Sequence, residues 1–85
     1  MKIKKVIYKS IPKKDGAVGL AYNDKVRDGK KFGIIEIEKN QTPFKMLDTE
    51  IHEMIHMHYP EIPEESVLKM ASRLARGVWK LGYRK

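Results

Sequence analysis

His52 and His56 stand four residues apart with Glu53 between them, in the order His-Glu-Met-Ile-His. On an α-helix, positions i and i+4 share a face, one turn apart. Two imidazoles stacked this way grip one zinc ion, and the intervening glutamate points beside the metal, where a water would sit. The pattern therefore assigns His52 and His56 as metal ligands and Glu53 as general base on zinc-bound water.

A hydrolytic zinc needs three protein ligands and one open position. The chain has no cysteine, so the third ligand is a carboxylate or another histidine. His58 lies roughly 160° around the helix from His56 and cannot address the same ion. It reads instead as a half-buried histidine within the apolar stripe of Leu47, Ile51, Met54 and Ile55, suited to a helix C-terminus. Glu61, Glu64 and Glu65 remain. A helical wheel of the segment after Pro63 gives an inward stripe of Val67, Met70, Ala71, Leu74, Ala75, Val78 and Leu81. Glu64 falls within it, and Glu65 falls about 100° away. An inward carboxylate needs a partner, which makes Glu64 the favoured third ligand. Asp48, one turn before His52, either orients a ligand histidine or is a solvated acid. Donors for a developing oxyanion are Tyr59, Tyr22 or His58, unranked by sequence. Met46 and Met57 read as surface or edge packing, and Trp79 as core.

These residues need two helices and a sheet to position them. Thr42-Pro43 supplies an N-cap and a first-turn proline, so the motif helix is expected over 42–59, stopped by Pro60. A second helix is expected over 63–82. It opens at Pro63 with Glu64 and Glu65 in the first turn and ends near Gly82. Residues 1–40 read as strands: Ile3 to Lys9, one beginning at Gly19-Leu20-Ala21-Tyr22, and Phe32 to Glu38. In the last, Ile35 and Ile37 share one face and Glu36 and Glu38 the other. Pro12 to Gly16 is turn-rich, and Asp28-Gly29 is a hairpin signal. The expected fold is α+β: a single domain with a three-stranded, mostly antiparallel sheet packed on a two-helix hairpin.

Length and charge bound the rest. A chain of 85 residues holds one small core and gains from a staple such as a metal. No signal peptide or membrane span is recognisable, and the lack of cysteine fits a reducing cytoplasm. The net charge is +7 and the pI near 9.7, which favours acidic partners. Lys69, Arg73, Arg76, Lys80 and Arg84 form one basic stripe on the second helix. The stripe reads as a solvated face or as a track for weak contact with nucleic-acid phosphates.

The stretch Leu47 to His56, then Pro60, Pro63 to Val67, and Val78 to Arg84, resembles the very small HExxH proteins of phages and prophages. The Gly19-Leu20-Ala21-Tyr22 strand also fits. The resemblance covers most of the chain and implies a minimal zincin with the layout of SprT-like metallopeptidases, although no histidine follows His58. It implies His52 and His56 as zinc ligands, Glu53 as base, Glu64 as third ligand, and a substrate bound as an added strand at a sheet edge. The expected activity is hydrolysis of amide bonds in an extended polypeptide. The alternatives are a zinc-stapled module that binds a host protein and a basic nucleic-acid-associated protein.

Overall fold

The computed structural model describes residues 3–12, 17–23 and 31–83. Three strands precede two helices: β1 (Lys5–Lys9), β2 (Gly19–Ala21), β3 (Ile34–Glu38), α1 (Pro43–His58) and α2 (Glu64–Lys80). The fold is α+β, as the alternation of periods implied. The Asp28-Gly29 turn lies outside the described residues, as do most of the Pro12–Gly16 patch and Arg84.

The sheet order is β1-β3-β2. β2 pairs with β3 antiparallel, with Gly19 opposite Ile37 and Ala21 opposite Ile35. β1 pairs with β3 in parallel, with Val6 opposite Ile35 and Tyr8 opposite Ile37. The expectation of a mostly antiparallel sheet is corrected here: the sheet is mixed, and its central strand is the last in sequence. The near-continuous apolar run Ile34-Ile35-Glu36-Ile37 suits a central strand that is covered on both faces. On the face away from the helices Glu36 is nonetheless buried, capped by the Tyr22 hydroxyl at 3.1 Å and by Lys31 and Lys9 at 3.6 and 3.8 Å.

α1 is covered on two sides. Met57 packs on Ile35 and Ile37, with Met46 and Ala21 around them. Ile51 packs on Ala71 and Ala75 of α2, with Phe44, Leu47, Ile55 and Val78. A single apolar stripe could not anticipate this. Met57, expected at the surface, is fully buried, while Met54 and His58 are exposed. Leu74 and Leu81, placed on the inward stripe of α2, are exposed as well. Trp79 is half-buried and meets Phe44 edge to face at 5.4 Å between ring centroids.

The ends of the helices follow local chemistry. Thr42 precedes Pro43 in extended conformation, but its hydroxyl makes no capping bond. Gln41 anchors that end instead, donating to the Glu38 carbonyl and accepting from the Thr49 hydroxyl, each at 2.9 Å. This explains a buried threonine on the sheet side of α1. At the far end of α2, Gly82 takes φ +95°. Gly82 and Tyr83 donate to the carbonyls of Trp79 and Val78, which closes the helix in a Schellman turn.

Candidate metal centre

His52 and His56 project from one side of α1, and their Nε2 atoms lie 3.2 Å apart. Glu64 is the first residue of α2. The turn between the helices, with Pro63 as its last residue, brings that carboxylate over both rings. Glu64 Oε1 is 2.7 Å from His52 Nε2, and Oε2 is 2.8 Å from His56 Nε2. Ligand atoms around a tetrahedral zinc, at about 2.0–2.2 Å from the ion, stand roughly 3.3 Å from one another. The imidazole pair already matches that spacing. The carboxylate sits slightly closer, at hydrogen-bond distance.

These three are the group of histidine and carboxylate side chains, among the described residues, whose donor atoms converge within 4.8 Å. Glu61 and Glu65 are exposed and stand outside it. One premise needs correction. Glu64 is not buried on an inward face: its side chain is 67% exposed, so it stands at the rim and reaches across to the rings.

Glu53 faces the sheet instead. It is only 6% exposed, and burial, followed by the nearby negative charge of Glu64, raises its pKa to about 7. Space for its carboxyl comes from β2. A Cβ placed on Gly19 would lie 2.7 Å from both Glu53 Cγ and Oε2, closer than any tolerated contact. Glycine within a strand often marks such a close approach, and Gly19 was read from sequence only as a strand start.

The three site residues and Glu53 line one open cleft of about 810 Å³, bounded by β2, α1 and the start of α2. Asp48 and Lys45 line its wall toward the α1 N-terminus. Among the described residues, no hydrogen bond joins Asp48 to either imidazole, so the structure lends nothing to its expected orienting role. None of the three named oxyanion donors lines the cleft. The Tyr22 hydroxyl is engaged with Glu36 on the sheet's other face, and His58 and Tyr59 are exposed at the end of α1. Sequence reasoning also missed Asn23, which is buried beside the cleft and bonded to α1.

No helix among the described residues is long and apolar enough to cross a membrane. No protein-family model matches the chain, and no curated protein or solved structure does either.

Proposed function

We propose that the chain is a zinc-dependent metallopeptidase acting on an extended polypeptide. The observation that carries this reading is the convergence of His52, His56 and Glu64 beside the buried carboxyl of Glu53 in one cleft. The donor set, two imidazoles and a carboxylate, suits zinc and leaves a fourth position for solvent or substrate.

His52, His56 and Glu64 would hold the zinc, which would supply Lewis-acid polarisation and lower the pKa of water nearby. Glu53 removes a proton from the attacking water as its oxygen bonds to the carbonyl carbon. It then gives that proton to the departing amine as the C–N bond breaks. A carboxyl with a pKa near neutrality suits both transfers. Among the described residues β2 is an edge strand, with its Val18 and Tyr22 backbones turned to β3. By strand alternation, the backbone groups of Gly19 and Ala21 face the free edge, where an extended peptide can pair with them. An intracellular setting, suggested by composition, and a phage origin, implied by the resemblance, belong to the same reading.

A metal-stapled binding module is the second reading. It is favoured by the absence of Tyr22, Tyr59 and His58 from the cleft. Peptide-library hydrolysis by the zinc-loaded protein and by Glu53→Gln separates the two. Turnover lost in the variant at unchanged zinc content supports the peptidase; equal turnover in both overturns Glu53 as base. No turnover in either favours the binding module.

A further inference from the structure

The last turn of α1 leaves carbonyls that the helix cannot satisfy, that of His56 among them. In an α-helix the carbonyl of residue i accepts from the N–H of residue i+4. For His56 that residue is Pro60, which has no N–H. The residue before a proline is also driven from helical geometry, and Tyr59 sits at φ −133°, ψ 66°. Asn23 supplies the donor from another part of the fold. Its Nδ2 donates to the His56 carbonyl at 2.7 Å. Asn23 is 6% exposed and follows β2 on the strand side of the cleft.

From this bond we infer that Asn23 is a positioning residue for His56. The ring of His56 must keep its Nε2 within 3.2 Å of His52 and 2.8 Å of Glu64. It hangs from the final turn of the helix, the part most prone to fray. Holding the carbonyl fixes the backbone from which the ring projects. An aspartate at position 23 would set acceptor against acceptor, so the amide is the group the place requires.

The test uses the full chain. Zinc affinity by chelator competition rests on the metal-site reading above; imidazole nitrogen spectra of the metal-free protein do not. Asn23→Ala is expected to weaken zinc binding about 10-fold or more and to move the ring signals of His56. Adding Pro60→Ala restores a backbone N–H at the i+4 position, and the double variant is expected to regain most of the affinity. An N23A protein with wild-type zinc affinity and unmoved ring signals overturns the inference, whatever its stability. Should wild type take up no zinc, the peptidase reading falls and the ring signals alone decide the role of Asn23. Should N23A fail to fold, the double variant decides. A folded N23A/P60A with wild-type ring signals supports the role, and an unfolded one overturns it.

Discussion

Gly19 and Glu53 occupy one space: the side chain missing from β2 is the room in which the α1 carboxyl lies, 2.7 Å from where a Cβ would stand. The strand is thus shaped to the base as much as to the sheet. Gly19→Ala is expected to push Glu53 aside while leaving His52, His56 and Glu64 in place. The overpacking should cost about 1–3 kcal/mol in urea unfolding. Zinc content should hold, and peptide hydrolysis should fall at least as far as in Glu53→Asp. Full hydrolysis by G19A would show that the base needs no such space.

The buried carboxyl makes metal-free stability depend on pH. Burial raises the folded pKa of Glu53 to about 7, against 4.5 for an exposed glutamate. The folded chain holds this proton more tightly, so its stabilising contribution is complete below 4.5 and is lost as pH rises through about 7. In chelator, wild-type stability should decline across this window by at most about 1.4 kcal/mol per pH unit from this group. Glu53→Gln should flatten that part of the profile and be the more stable protein at pH 8. A parallel profile in both proteins would mean that the carboxyl titrates normally.

On the proposed reading, zinc should stabilise the fold, because its three ligands converge only in the folded chain. His52→Ala and His56→Ala are expected to lose the ion and the rise in Tm that zinc gives wild type. Glu64→Gln should weaken zinc binding by at least about 10–100-fold, the loss that removing even an outer-shell partner of a ligand brings. Glu65→Gln should change little, since Glu65 is exposed and outside the convergent group. The reverse ranking in chelator competition would move the third ligand.

Lys69, Arg73, Arg76 and Lys80 are all exposed along α2, with Arg76 folded back on Ser72 at 3.0 Å. Any DNA binding should therefore be weak, indifferent to sequence and steeply salt-dependent. Replacing Lys69, Arg73 and Lys80 by Gln should flatten the slope of log affinity against log salt by roughly one unit per lost phosphate contact. Unchanged binding by the triple variant would leave the stripe as a solvated face.

Much of this arrangement could be read from spacing. The i, i+4 histidines and the first-turn position of Glu64 name the three residues that the fold brings together, and both helices lie within two residues of their expected limits. Strand pairing was not legible in the same way. Neighbouring strands pair by default, whereas here β1 joins β3 across the sheet, a choice set by long-range packing. Nor does a single wheel reveal that α1 has a second buried side. Met57 and Glu53 owe their burial to the sheet, so their surroundings depend on residues far along the chain. Gly19 and Asn23 escaped for the same reason, since each matters only through the α1 group it meets.

The contacts between Glu64 and the two imidazoles join α1 to the first residue of α2. Glu53, by contrast, depends on a glycine in the first half of the chain. The grip is local in sequence, and the base is assembled at long range. Contacts of short loop length form early and survive partial unfolding, while distant ones require the whole fold. A loosened chain would thus lose the close approach of Gly19 to Glu53 before the contacts of Glu64 with the two imidazoles. On the proposed reading, the hairpin carries the three ligands, while the strand side steadies them through Asn23 and seats the base through Gly19.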